Sequence, residues 1–308
     1  MRPTGLLLLI STVLYLSACS EQDTSSAKEG AAAAIRGPLS IYVVNYPLQY
    51  FAERIGGEHV RVAFPAPAEG DPAFWEPGVE EVVAFQQADL ILLNGASYAK
   101  WIQRVSLPAS RMVDTSAGFA ERLMPLVDQA THSHGAGGEH AHGDVAFTTW
   151  LDPLQAVEQA RAIRDALIRL RPSKTAAFQL GFAALEKDLR ELDRQLVDAF
   201  GRWKGQTLVF SHPVYQYLVR RYAVDAYAVH WEPDVMPGPG QWQNLQRRLI
   251  ERPARAMIWE GVPDPATVAE LEQRGLQSLV FPPCANRPEK GDYLSVMQDS
   301  LAGLSVER

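Results

Sequence analysis

A long helical pattern near the middle of the chain limits the folds that are open to it. The spacing of apolar residues predicts one helix from Ser173 to about Trp203, with almost no helix-breaking residue inside it. About 30 residues of helix span roughly 45 Å at 1.5 Å per residue, which is longer than one small lobe requires. The pattern therefore indicates a spine between two lobes, and we place this linking segment at residues 171–204.

Short apolar runs alternate with helical patterns on both sides of this spine. Residues 39–44 and 90–93 are predicted strands in the first half, and residues 207–210 and 256–259 are predicted strands in the second. The runs are apolar on both faces, which is typical of parallel strands covered by helices. We therefore predict an α/β fold of two parallel-sheet lobes, at residues 39–170 and 205–308, joined by one long spine helix.

Residues 1–19 have the features of a secretory signal. Arg2 precedes an apolar stretch at residues 6–16, which is too short to be a comfortable membrane span. The Leu-Ser-Ala-Cys sequence that follows resembles a bacterial lipobox, in which Cys19 becomes the lipidated N-terminus. Residues 20–38 are rich in Ser, Ala, Gly and charge, and we predict that they form a flexible tether. The expected location is extracytoplasmic or periplasmic, with a lipid anchor in a bacterial membrane.

Charge and motifs exclude two classes of function. A formal net charge of -7 is unsuited to a sequence-independent grip on nucleic acid, which needs clustered Lys and Arg. The sequence carries neither a nucleophile elbow nor a phosphate-binding loop. We therefore predict a binding protein with no nucleic-acid partner, and not an enzyme.

The residues just after the predicted strands are candidates for a site, because ligands in open parallel sheets bind beyond the carboxyl ends of the strands. His212 follows one predicted strand, Glu260 ends another, and His230 and Glu232 follow a third. His230 and Glu232 are two residues apart, so on an extended segment their side chains point the same way. Asp71 faces them from the first lobe in this scheme.

Several motifs at these junctions occur together in an order typical of one family. They are Trp150-Leu151-Asp152-Pro153, Phe210-Ser211-His212-Pro213, Ile258-Trp259-Glu260 and the segment Ala-Asp-Leu-Ile-Leu-Leu-Asn-Gly at residues 88–95. They resemble the zinc- and manganese-binding proteins of bacterial ABC importers, the ZnuA/TroA-like family, over about residues 39–305. The resemblance implies two α/β lobes with a metal between them. It also implies that the chain captures Zn2+, with Mn2+ or Cu as alternatives, for a membrane permease and its ATPase.

The resemblance implies four metal-ligand positions, of which this sequence keeps one. Three of the positions hold Ala73, Thr148 and Pro282, and only His212 retains a ligand side chain. A single imidazole does not hold zinc tightly, because such sites use three or four protein ligands. Either the site has been rebuilt, or a metal ion is no longer its ligand.

Two sets of residues correspond to these two outcomes. A rebuilt metal site is predicted to contain His212, His230 and Glu260, with Glu232 or Asp71 as a fourth ligand or a supporting group. A roomier cleft for a metal chelate or a small organic cation is predicted to be lined by Trp75, Trp150, Tyr215 and Trp231. A metallochaperone or an adhesin on the same fold is a further alternative.

A second metal signal lies in a loop at residues 131–144. Its four histidines, His132, His134, His140 and His142, stand amid Gly and Ser. Such tracts are typical of mobile metal-binding segments. Binding there is expected to be weak and to exchange quickly, because ordering the loop costs conformational entropy. We therefore predict an auxiliary site in this loop that is separate from the main one.

Overall fold

The computed structural model describes residues 37–126, 132–133, 139–140 and 145–304 of the 308-residue chain. The signal segment with Cys19, nearly all of the tether and the side chains of the four loop histidines lie outside the described residues. None of the described helices combines the length and the hydropathy that a bilayer-spanning segment needs.

The N-terminal lobe is built on a four-stranded parallel sheet. Its strands are β1 (Leu39–Val43), β2 (Val60–Ala63), β3 (Leu90–Leu93) and β4 (Met112–Asp114), in the order β2-β1-β3-β4. Helices α1 (Tyr46–Gly56), α2 (Val79–Gln87) and α3 (Pro153–Leu170) belong to this half of the chain, as does a short antiparallel pair, β5 (His132–Ser133) and β6 (Glu139–His140). Ile41 and Ile91 in the two central strands are fully buried, as expected for strands covered on both faces.

The C-terminal lobe has a second four-stranded parallel sheet. Its strands are β7 (Thr207–Phe210), β8 (Ala226–Ala228), β9 (Ala254–Trp259) and β10 (Gln277–Val280), in the order β10-β9-β7-β8. The helices are α5 (Gln216–Tyr222), α6 (Pro239–Glu251), α7 (Pro265–Gln273) and α8 (Tyr293–Leu304). Short 3-10 turns occur at Gly57–His59, Lys100–Arg104, Ala109–Arg111, Ala117–Arg122, Thr149–Leu151 and Pro172–Lys174.

The spine is helix α4 (Thr175–Gly201), which has 27 residues and packs against α1, α3 and α8. Phe178, Phe182, Leu185 and Leu189 recur at intervals of three and four residues and are buried along one side of it. Gly181 allows α1 to approach closely, since a Cβ atom there would lie 2.6 Å from a backbone carbonyl oxygen of α1. The predicted fold of two parallel-sheet lobes with a long helix is confirmed, and the helix begins and ends two residues inside the predicted limits. Helix α8 was not predicted.

Three hydrogen bonds connect the two lobes at the base of the space between them. Each uses a side-chain donor and a backbone carbonyl of the other lobe: Trp150 Nε1 to Pro283 (2.7 Å), the Tyr217 hydroxyl to Ala146 (2.7 Å), and the Thr148 hydroxyl to Val214. Buried bonds of this kind are costly to break, because the carbonyl is then left without a partner. The two carboxyl edges are therefore held at a defined separation.

Candidate metal-binding site

Three potential metal ligands meet at the carboxyl edge of the C-terminal sheet. His212 follows β7 by two residues, Glu260 follows β9 directly, and Glu232 follows β8 by four. Backbone bonds continue the sheet past the strand ends, since Ser211 N donates to the Ile258 carbonyl (2.8 Å) and Trp231 N donates to the Ser211 carbonyl (2.9 Å). Adjacent parallel strands thus deliver the three side chains to one place, as the strand-end rule predicts.

The spacing of the three ligand atoms suits one divalent ion. His212 Nδ1 lies 3.2 Å from Glu260 Oε1 and 3.9 Å from Glu232 Oε1, and one ligand atom from each residue falls within 4.8 Å of the others. Two atoms that each bind zinc at about 2.1 Å in a tetrahedron are about 3.4 Å apart, which is between the two measured distances. In the described part of the chain this is the single group of at least three such residues.

The carboxylates stand at the edge of the buried region. The His212 side chain is 1% exposed, whereas those of Glu232 and Glu260 are 27% and 21% exposed. Burial, with a smaller contribution from the Glu260 carboxylate, raises the pKa of the neighbouring Tyr215 well above its usual range. The Tyr215 hydroxyl beside the cluster therefore stays protonated.

A cleft between the lobes opens onto this cluster; we call it the interlobe cleft. Its volume is about 830 Å³, and its described lining includes Asp71 and Thr148 from the first lobe and Glu232, Glu260 and Pro282 from the second. Two of the family's ligand positions, those of Thr148 and Pro282, are therefore on its walls. The third, Ala73, is 3% exposed and packs in the core.

The other two predicted ligands lie beside the cluster. Asp71 lines the interlobe cleft from the first lobe, and its Oδ1 accepts a hydrogen bond from Ala73 N at 2.8 Å. His230 is exposed, and its ring meets the His212 ring edge-on with the centroids 5.8 Å apart. It lines a separate pocket next to α6, where Gln241 Nε2 donates to its carbonyl oxygen. Ligation by Asp71 or His230 stays a prediction.

Three of the four aromatic residues predicted to line the cleft are core residues. Trp150 is fully buried, and Tyr215 and Trp231 are each 2% exposed. The Tyr215 hydroxyl donates to the Phe281 carbonyl at 2.6 Å, and Trp231 packs edge-on against Trp242. Trp150 and Tyr215 use their polar atoms in bonds to backbone carbonyls, and none of the three residues is in the described lining of the interlobe cleft, which corrects the predicted lining. The fourth, Trp75, is half-buried and packs edge-on against Trp101.

Sequence reasoning missed a set of charged and polar residues on the cleft wall. Asn286, Arg287 and Glu289 follow β10, and Asp234 follows Glu232 in the loop after β8. The strand-end rule applies to these loops as well, but none of these residues was among the predicted site residues. Asn286 Nδ2 donates to three carbonyls of the first lobe, and Arg287 Nη2 donates to the Phe64 carbonyl at 2.5 Å.

Two parallel-sheet α/β lobes joined by a long helix, with a candidate metal site at the strand ends of one sheet, define a class of two-lobed binding proteins. The chain belongs to the ZnuA family, described as zinc-uptake complex component A, periplasmic, whose model matches residues 41–305. The zinc-binding protein AdcA of Streptococcus pyogenes serotype M3 is 22% identical over 288 residues, which are 88% of this chain and 56% of AdcA. The chain thus spans about half the length of that relative.

Other relatives match over most of their own length. The metal ABC transporter substrate-binding lipoprotein FimA of Streptococcus parasanguinis is 26% identical over 309 residues, covering 96% of this chain and 95% of FimA. Among solved structures, zinc-bound AdcA of Streptococcus pneumoniae has a TM-score of 0.73 at 22% identity and covers 87% of this chain and 57% of its own. The metal-dependent lipoprotein YcdH of Bacillus subtilis has a TM-score of 0.74 at 18% identity, with 86% and 98% covered. These structural matches establish the fold.

Proposed function

We propose that this chain is the solute-binding component of a metal ABC importer and captures a transition metal, zinc first, in the interlobe cleft. The observation that carries the proposal is the convergence of His212, Glu232 and Glu260, each from a different strand end, at ligand spacing. Family membership and the names of the relatives support a role in metal uptake. We infer that a membrane permease and its ATPase receive the metal, and that the chain performs no catalysis.

The donor set suits the proposed cargo. A neutral imidazole nitrogen and two carboxylate oxygens are all accepted by Zn2+, and also by Mn2+. Both carboxylates are partly withdrawn from water, so a divalent cation that neutralises them gains more than it would at an open surface. Protons compete for the same atoms, and metal affinity is therefore expected to fall as the solution becomes more acidic.

Zinc isotherms on single and double variants test the site. The proteins are wild type, His212→Ala, Glu260→Gln and Glu232→Gln, all lacking residues 131–144 so that the histidine-rich loop does not contribute. We expect each variant to lose affinity heavily, and the His212→Ala/Glu260→Gln double variant to lose little more than one single variant, because partners in one coordination sphere are not additive. His230→Ala and Asp71→Asn show whether those residues also ligate.

His59→Ala is the matched control, since His59 lies in a turn after α1 and its ring packs edge-on against Phe178. Its isotherm should equal that of wild type. If His212→Ala and Glu260→Gln also bind zinc as wild type does, the proposed site is wrong. Binding of a small organic solute in the interlobe cleft is then the preferred hypothesis.

We also propose that Cys19 is lipidated and that residues 20–38 tether the folded part to the membrane. The support is the lipobox-like sequence and the description of relatives as lipoproteins. In a bacterial host, Cys19→Ser should move the protein from the membrane fraction to the soluble fraction. Unchanged membrane association of that variant would refute the anchor.

A further inference from the structure

The two walls of the interlobe cleft differ in the metal-ligand side chains that they offer. The three clustered ligand residues, His212, Glu232 and Glu260, all come from the C-terminal lobe. On the facing wall, the described residues of the first lobe that line the cleft offer two side chains with oxygen atoms, Asp71 and Thr148. The Thr148 hydroxyl donates to the Val214 carbonyl and is a neutral, weak ligand. The strong protein ligands for an ion in this cleft thus all come from the C-terminal lobe.

The size of the cleft exceeds what a bare ion needs. A zinc ion surrounded by four protein ligands needs no additional cavity, whereas this cleft has a volume of about 830 Å³. That volume falls within the range of small-molecule pockets, about 300–1,000 Å³. On the cleft wall, two of the positions at which the resemblance implies ligands hold Thr148 and Pro282, and neither offers a strong donor to an ion.

The charge of the lining restricts what else enters with the metal. The described lining has five carboxylates and one guanidinium; the carboxylates belong to Asp71, Glu232, Asp234, Glu260 and Glu289. The guanidinium of Arg287 is already used, since Nη2 donates to the Phe64 carbonyl and Nε donates to Gln49 Oε1 at 3.1 Å. A divalent ion leaves this lining negative, so an anionic complex is disfavoured and a cationic one is favoured.

From these observations we propose that the cargo is a cationic chelate: a divalent metal held by the C-terminal cluster, with a small chelator supplying amine or imidazole nitrogens toward the Thr148 side. The inference rests on the proposed function, because it requires metal at His212, Glu232 and Glu260. The chelator takes the coordination positions that the family fills with protein side chains. Its nitrogen donors suit zinc, and they add no net negative charge of the kind that citrate brings.

The test is equilibrium dialysis of metal-free protein against zinc with radiolabelled L-histidine, whose one-to-one zinc complex is a cation. We expect histidine to be retained with zinc, at about one equivalent of each per chain, and not to be retained without zinc. Labelled citrate with zinc should not be retained. Removal of residues 131–144 should leave the retained histidine unchanged, while His212→Ala should abolish its retention.

Two substitutions at one position locate the chelator. Thr148→His restores a protein ligand at the family's position, and should keep zinc but lose histidine. Thr148→Ser, the control that keeps the hydroxyl bonded to the Val214 carbonyl, should keep both. Retention of histidine by a folded Thr148→His protein would overturn the assigned position.

The wild-type dialysis alone is decisive if that variant does not fold. Zinc retained without histidine would overturn this inference and leave the proposed function intact. Zinc absent under every condition would refute the proposed function itself. Retention of citrate in place of histidine, or of histidine by the full chain only and not by the chain without residues 131–144, would also overturn the inference.

Discussion

Removal of the Tyr215 hydroxyl tests the packing that supports the metal site. This hydroxyl donates to the Phe281 carbonyl at 2.6 Å, beside Pro282 on the cleft wall, and burial raises its pKa so that it stays protonated. Tyr215→Phe removes the donor and leaves the buried carbonyl without it, which costs about 1–3 kcal/mol. At about 2–4 °C per kcal/mol, the figure for domains of about 150–250 residues, the melting temperature should fall by about 2–12 °C.

Tyr227→Phe is the matched control for this prediction. The Tyr227 hydroxyl is also buried, but it has no hydrogen-bond partner in the described structure. Its removal leaves no acceptor unsatisfied, so the melting temperature should stay the same or rise slightly. Both variants are compared with wild type by differential scanning calorimetry without metal. An equal fall for the two variants would refute the argument that the bond to Phe281, and not the mere loss of an oxygen atom, sets the cost.

Four further predictions concern stability and reactivity. Asp152 caps α3 by accepting from Leu154 N and Gln155 N, so Asp152→Ala should cost about 0.5–2 kcal/mol in urea unfolding while Asp152→Asn keeps the cap. Burial raises the pKa of Asp152, so the folded state binds the proton more tightly; wild type should therefore lose stability relative to the Asn variant as pH rises through the acidic range. Gly181→Ala should lower the melting temperature, because the added methyl group would clash with the backbone of α1. Gly201→Ala, at the end of α4, should not lower it, because no atom lies within 4 Å of the added methyl group. Thermal melts compare the two variants. Burial raises the pKa of Cys284 to about 12, so in a Cys19→Ser background a disulfide reagent at pH 8 should find almost no thiolate and should react slowly until the protein unfolds. Fast reaction of the folded protein would contradict this.

The fold was predictable because its signals are local. Uninterrupted apolar runs marked the central strands, and the spacing of apolar residues marked α4. Helix α8 was not predicted, although Asp292 caps it by accepting a hydrogen bond from Ser295 N, and Leu294, Met297 and Leu304 are buried along it. Its place is set by long-range packing against α4 and α1, which no local pattern encodes.

The site was predictable only in part, for related reasons. The strand-end rule identified His212, Glu232 and Glu260, because the topology of a parallel sheet brings those positions together. His230 and Glu232 were expected to point the same way from an extended segment, and a role for His230 in the cluster stays a prediction. Trp150 and Trp231 were misplaced because aromatic residues serve cores and binding walls alike, and composition does not separate the two.

The hydrogen bonds that cross the floor of the interlobe cleft have a consequence for the kinetics of exchange. Because Trp150, Tyr217 and Thr148 tie each lobe to backbone atoms of the other, widening the cleft would leave these buried carbonyls without donors. An ion that enters the cleft as it stands must exchange its own water for protein ligands, and the ease of dehydration differs among divalent ions. The rates of entry and of release both therefore depend on the metal.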